Sequence, residues 1–276
     1  MKVAITAAPS AGRLAPIVLR GDMAEAFALA SQLGYHGVEI HVRNPGDIDR
    51  AAVKKLMKRY SLGVPTLGTG MAAGEEGLTF ADLNPAVRQR AVERINEHVA
   101  LASELRSAVT IGLIWGRVTT DPARQAERIT LATACLARCC ATAQAAGVTL
   151  LLEAINRYES DYPVTLNQAV EVINAIGAPN LRLLADTYHM NIEETDMTAS
   201  LLKAGPHLGH IHLCDNNRQA PGHGHMDLRS LVQTLHEIGY QGYLSFEVQP
   251  LPSPQQAAAD GIHVVASFPG LDKLNG

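Results

Sequence analysis

Aromatic residues are scarce. Phe, Trp and Tyr make up 4% of the 276 residues, with one Trp, although 47% of the chain is hydrophobic. The core must therefore be filled by Ala, Leu, Val and Ile. Cysteine is sparse too: Cys135, Cys139, Cys140 and Cys214 stand without a Cys-x-x-Cys pair. They read as packed, reduced thiols, which fits a cytosolic compartment. Basic residues are not in excess, with 23 Lys and Arg against 27 Asp and Glu for a net charge of −4. A nucleic-acid-binding surface usually carries a basic excess, so no nucleic-acid partner is expected. No run of about 18 apolar residues occurs, so no membrane partner is expected either. The opening MKVAITAAPSAGR is broken by Pro9 and Arg13 and is unlike a signal peptide.

What the chain does have is alternation. Short runs rich in β-branched residues and Leu fall at 2–6, 37–42, 63–67, 108–114, 148–153, 181–186, 209–214 and 242–248. Continuous apolar runs of this kind suit strands buried on both faces of a parallel sheet. Helical patterns lie between them, near 22–34, 48–61, 85–105, 122–146, 165–177, 197–205, 227–239 and 254–267. Asp22 and Thr165 are candidate helix caps, and Gly34, Gly177 and Gly239 are candidate stops. Eight such units predict a single (β/α)8 TIM barrel, of the α/β class, across residues 1–276. The Gly-x-Gly-x-x-Gly of a dinucleotide-binding sheet is missing after the first strand, where the sequence reads AAPSAGRL. One internal echo supports repetition: LGYHGVEI (33–40) and IGYQGYLSFE (238–247) both lead through Gly-Tyr-x-Gly into a strand carrying Glu.

Reactive residues of a (β/α)8 barrel sit at the C-terminal ends of its strands. Read that way, the last four strands present Glu153, Asp186, His212 and Glu247 at one mouth, spaced by 33, 26 and 35 residues, one β-α unit each. Three converging carboxylates repel one another and are costly to bury unpaired. One divalent metal ion resolves the repulsion and uses the imidazole as well. Oxygen-dominated ligation with one His suits Mn²⁺, Mg²⁺ or Co²⁺ better than a structural zinc.

The strings around these residues, EAINRYESD, LLADTYHMNIEE, GHIHLCDNNRQAPGHGHMD and GYLSFEV, resemble the sugar isomerase/epimerase superfamily with xylose isomerase-like barrels. Within it they look like the ketose 3-epimerases and a 5-keto-L-gluconate epimerase branch, and hydroxypyruvate isomerases share much of the pattern. The likeness is dense from 148 to 250 and thinner before it, in VEIHVRNP, LGTG and IGLIWGR. It implies a metal-dependent isomerase, with Glu153, Asp186, His212 and Glu247 as metal ligands and Glu153 and Glu247 as the acid/base pair. It also implies substrate contacts from Glu159, His189 and Arg218, and a homodimer or homotetramer by family habit.

In such chemistry a ketone oxygen and a neighbouring hydroxyl bind the metal, and loss of the intervening proton gives an enediolate. One glutamate removes the proton and the other returns one to the opposite face. Return to the adjacent carbon would instead be aldose–ketose isomerisation. A metal-dependent decarboxylase of a 3-keto sugar acid would pass through the same species. An endonuclease IV-type nuclease would need more His ligands and a basic face, and a non-catalytic sugar-binding barrel would not need two opposed glutamates. Arg43 in HVRNP and Arg117 in IWGR follow the second and fourth strands, and Trp115 lies beside Arg117. Trp115 is expected in the pocket wall. An Arg at that mouth suits a substrate carboxylate, unless it pairs with a rim acid such as Asp47 or Asp121, so the expected small-molecule substrate is a ketose or a keto-sugar acid such as a keto-aldonate. His223 and His225 are expected in a tight Gly-rich loop over the site.

Overall fold

The apolar runs fold as strands: β1 Lys2–Ala8, β2 Gly37–His41, β3 Thr66–Gly68, β4 Ala108–Ile111, β5 Leu150–Glu153, β6 Leu181–Asp186, β7 Leu208–His212 and β8 Tyr243–Phe246. In the computed structural model, which describes residues 1–271, each strand pairs in parallel with the next. Strand β8 then pairs back onto β1, from Lys2 with Tyr243 to Ile5 with Phe246. The ring therefore closes as a (β/α)8 barrel, and closure gives each of the eight barrel strands a neighbour on both sides. A two-residue strand, Leu19–Arg20, adds to the top of β1.

Each expected helix forms, from Met23–Gln32 to Pro254–Val265. The punctuation works as its chemistry requires. Asp22 accepts from Ala24 N at 2.6 Å. Thr165 and Gln168 form a capping box. Gly177 ends its helix in the left-handed region at φ +66°. Two short helices were not expected, Gly70–Glu76 after β3 and Thr187–Glu193 after β6. Both lie in loops at the C-terminal ends of strands, where a barrel builds its site.

Alternation along each strand decides what faces inward. Phe246 is fully buried and meets Tyr35 edge-on at 5.6 Å, and a side chain at Gly261 in the last helix would strike its ring. Phe246 thus points out of the barrel toward the helices. Its neighbour Glu247 points the other way, into the mouth. Leu, Ile, Val and Ala dominate the buried set, as the shortage of aromatics required.

Candidate metal centre

Glu153 ends β5, Asp186 ends β6, His212 ends β7 and Glu247 follows β8 directly. All four are buried, and each offers one ligand atom within 4.8 Å of the others. His212 Nδ1 lies 3.5 Å from Glu153 Oε1, 3.7 Å from Asp186 Oδ2 and 3.7 Å from Glu247 Oε2.

The ligand atoms are held from behind. Asp186 caps the helix Thr187–Glu193: its Oδ1 accepts from Tyr188 N at 2.7 Å, which aims Oδ2 at the site. His212 Nε2 donates to Glu39 Oε1 at 3.0 Å, which turns Nδ1 toward the three carboxylates. A carboxylate behind a ligating imidazole is the usual way to fix ring orientation and tautomer. Glu153 depends on Gly112, where a Cβ would come 2.5 Å from Glu153 Oε2.

Glu39 is a buried hub. It accepts from His41 Nε2 at 2.9 Å, His210 Nε2 at 3.0 Å and His212 Nε2 at 3.0 Å. Burial would raise its pKa, but the charge of His212 and the three imidazole bonds hold it well below the usual range. Burial also disfavours charge on His212, yet Glu39 and Glu247 outweigh it and raise this imidazole well above its ordinary value. Asp186 is likewise held low despite burial, by His189, His212 and Arg218. Glu153 goes the other way, its carboxyl pushed up chiefly by burial.

Two buried atoms here have no hydrogen-bond partner, Asp186 Oδ2 and His212 Nδ1. Both aim into the cluster. An unpartnered carboxylate oxygen and imidazole nitrogen, beside two further carboxylates, fit a divalent cation. The fold brings together the four residues that the sequence placed at one barrel mouth.

Residues 27–267 match the family described as Xylose isomerase-like TIM barrel. The chain belongs to that family. L-ribulose 3-epimerase from Mesorhizobium japonicum is 33% identical over 231 residues, 83% of this chain and 76% of that one. A 3-dehydro-D-guloside 4-epimerase from Escherichia coli is 28% identical and covers 87% of this chain and 93% of its own length. The crystal structure of D-allulose 3-epimerase from Methylomonas sp. in complex with D-allulose superposes with a TM-score of 0.80 at 25% identity, over 96% of each chain. The family resemblance read from the sequence is thus confirmed.

Next to the four acidic and imidazole groups, this family member has a cavity of about 370 Å³, enough for a sugar. Glu153, Glu159, His189, Arg218 and Glu247 all line it. Arg218 bonds Glu247 Oε2 through Nη2 at 2.8 Å and Glu159 Oε1 through Nη1 at 2.7 Å, with the Tyr188 ring 4.7 Å beneath it. Its backbone takes the left-handed conformation, φ +57°, which costs a side-chain-bearing residue and is tolerated where the surroundings fix it. His189 Nδ1 meets Asn156 Nδ2 at 2.6 Å, which leaves Nε2 facing Glu153 and Asp186, 3.8 Å from each.

Three other expectations meet a different arrangement. Arg43 is half-exposed and pairs with Glu75 at 3.3 Å and Glu76 at 3.6 Å, facing a separate cleft beside Asp47. Arg117 donates to the backbone carbonyls of Tyr158 and Glu159 at 3.1 Å, bracing the loop that carries Glu159. Trp115 is buried against Tyr162, 6.4 Å between rings, and the cavity wall is made instead by Gly112 and Leu113 just before it. The turn Leu113–Trp115 after β4 directs the Trp back toward the core. The loop holding His223 and His225 folds round the Asp215 carboxylate, which accepts from Gly222 and Met226, and His223 pairs with Asp260 at 2.9 Å.

Sequence reasoning did not single out Glu39, His41, His210, Asn156 or Gly112. For Glu39 a signal was present: it is the Glu of the first copy of the Gly-Tyr-x-Gly echo, whose second copy leads to Glu247.

Proposed function

We propose that the protein is a divalent-metal-dependent epimerase or isomerase of a ketose, with Glu153 and Glu247 as its proton-transfer pair. The observation that carries this reading is the placement of the two glutamates. They arrive from β5 and β8 on either side of Asp186 and His212, within one cluster and on one sugar-sized cavity. The epimerase names of its relatives support the isomerase class. The oxygen-rich donor set favours Mn²⁺, Mg²⁺ or Co²⁺. Such an ion, when bound, would polarise the ketone oxygen and stabilise the negative charge that develops on it.

The chain's own groups supply the rest. One glutamate takes the proton from the carbon beside the ketone, and the other gives a proton to the opposite face, which inverts that centre. Burial pushes the Glu153 carboxyl up in the metal-free protein, and with a metal bound the two glutamates exchange the acid and base roles with the direction of the reaction. Arg218 presents a permanent positive charge to the oxygens of the reacting segment. His189 Nε2–H, oriented by Asn156, is placed to bond one of them. Delivery of the proton to the adjacent carbon would make the reaction aldose–ketose isomerisation.

For the substrate, a neutral ketose is favoured over a keto-aldonate. The two guanidiniums expected to hold a carboxylate, Arg43 and Arg117, already have other partners. Away from the metal ligands the cavity is lined by Leu14, Ile17, Met71, Leu113 and Ile155 together with His41, Thr69, Glu75 and Thr110, and Arg218 is its one guanidinium among the described residues. A panel of ketoses and keto-aldonates in D₂O with added Mn²⁺, followed by NMR, tests the reading. Deuterium should appear at one carbon of a ketose, with its epimer as product. No exchange on any member of the panel would overturn the proposal.

A further inference from the structure

Strand β2 sends Glu39 and His41 to the same face, two residues apart. His41 is 8% exposed, and its Nε2 donates to Glu39 Oε1 at 2.9 Å. The same oxygen accepts from His212 Nε2. With the ring hydrogen committed to Nε2, Nδ1 carries a lone pair. Among the described residues Nδ1 has no hydrogen-bond partner, yet the imidazole forms part of the cavity wall. Space is reserved for it: the ring lies against the backbone of Gly68, where any Cβ would collide with Nδ1, Cε1 and Cγ.

In a ring of eight strands β2 stands opposite β6, while the proton-transfer glutamates come from β5 and β8. A sugar chain whose reacting carbon lies between those glutamates extends its far end toward β1–β3. That end carries Leu14, Ile17 and Met71; Glu75 there is paired with Arg43, and the Thr69 hydroxyl donates to the Thr110 carbonyl at 2.7 Å. A polyol tail leaves its hydroxyls unmet in such a place, and a buried polar group without a partner is costly. We infer that His41 is a specificity-determining residue whose Nδ1 accepts a hydrogen bond from a substrate hydroxyl remote from the reacting carbon. The inference rests on the ketose reading of this site.

The test compares wild type with His41→Gln and His41→Asn. A Gln amide reaches the Nε2 position and keeps a donor for Glu39 while removing the Nδ1 acceptor. An Asn amide does the reverse. Each protein, loaded with Mn²⁺, is assayed for binding by calorimetry and for kcat and KM, with the best ketose of the panel and with analogues lacking one remote hydroxyl each. Wild type should prefer the ketose over one deoxy analogue by roughly 10–100-fold, the scale of one buried hydrogen bond. His41→Gln should cut that preference to within about threefold at unchanged Mn²⁺ affinity. His41→Asn should keep the preference and bind Mn²⁺ more weakly. Preference for every remote hydroxyl surviving in His41→Gln would overturn the inference. So would a loss in His41→Gln that merely tracks weaker Mn²⁺ binding. Wild type that binds ketoses without exchanging a proton would refute the epimerase reading and still decide the role of His41 by binding alone. Wild type that binds no ketose would overturn both.

Discussion

Replacing Glu39 with Gln changes the charge of the hub behind the metal ligands without changing its size. Glu39 is wholly buried and meets three imidazole nitrogens at 2.9–3.0 Å. Its depressed pKa keeps it a carboxylate at neutral pH. A Gln amide offers one acceptor oxygen and one NH₂. If the NH₂ faces His210, that ring must change tautomer or lose its bond. If it faces His41 and His212, two donors meet a donor. Either way at least one charge-assisted bond is lost, about 1.5–3 kcal/mol. Taking about 2 kcal/mol, and given that His212 also loses the charge that makes Nδ1 a good donor, Mn²⁺ affinity should fall roughly 30-fold. That lies inside the roughly 10–100-fold range usual for partners behind a ligand. Calorimetric titration of chelator-stripped protein with Mn²⁺ reads the affinity directly. The metal-free protein should also melt several degrees lower, at about 2–4 °C per kcal/mol for a large domain. A dissociation constant within twofold of wild type, with an unchanged melting temperature, would refute the claim that Glu39 supports the centre.

Glu153→Gln and Glu247→Gln should each lower turnover by roughly 10²–10⁴-fold when compared at equal metal occupancy; a variant that keeps its metal and near-full rate is removed from the proton-transfer pair. Gly112→Ala should cost turnover on a similar scale by displacing Glu153, while far-UV circular dichroism shows the barrel intact; a fully active variant would show that Glu153 tolerates the intrusion. In the metal-free protein the raised pKa of His212 keeps it protonated at neutral pH, so each bound Mn²⁺ should expel about one proton, and affinity should rise roughly tenfold per pH unit below that pKa. Calorimetry at pH 7 in buffers of different ionisation enthalpy counts the protons, and a count of zero contradicts the assignment. The sign reverses for stability: a raised folded pKa gives a contribution that is full below the ordinary imidazole range and fades as pH climbs through the folded value, so the metal-free protein should melt lower at pH 9 than at pH 6. Arg43→Met should leave KM for a ketose within about twofold; a selective rise in KM for a keto-aldonate would restore the carboxylate-anchor reading.

The barrel was legible because its strands are buried on both faces. That produces runs dominated by apolar residues, such as VTLLLE and LRLLAD, each ending in a carboxylate. Position at a strand end, combined with charge inside an apolar run, marked out Glu153, Asp186, His212 and Glu247, which the fold brings into one cluster. Glu39 carries the same mark in GVEIHV, but it stands two residues before a His rather than at the end of its run, so it read as a strand residue without a task. His210 is hidden because its role depends on a contact made across the barrel, 171 residues from Glu39, and His41 because its partner two residues away is that same unread carboxylate. Arg43, Arg117 and Trp115 show the opposite failure. Their place after a strand was read correctly, but the direction of a side chain leaving a strand is set by the turn that follows. The two short turns at Pro45–Asp47 and Leu113–Trp115 carry them away from the cavity.

Asp186 divides its two oxygens between two duties, one closing the first turn of a helix and the other facing the cluster. That division restricts what evolution can place there. Glu carries the same charge, but its extra methylene would pull the capping oxygen out of reach of Tyr188 N or push the other past its neighbours. Asn could cap but would weaken the negative field. The helix held by that cap carries His189, so a drift at this one position would shift a substrate contact along with a ligand. A designer grafting this centre onto another barrel should therefore transplant the Asp together with the seven residues that follow it, as one indivisible piece.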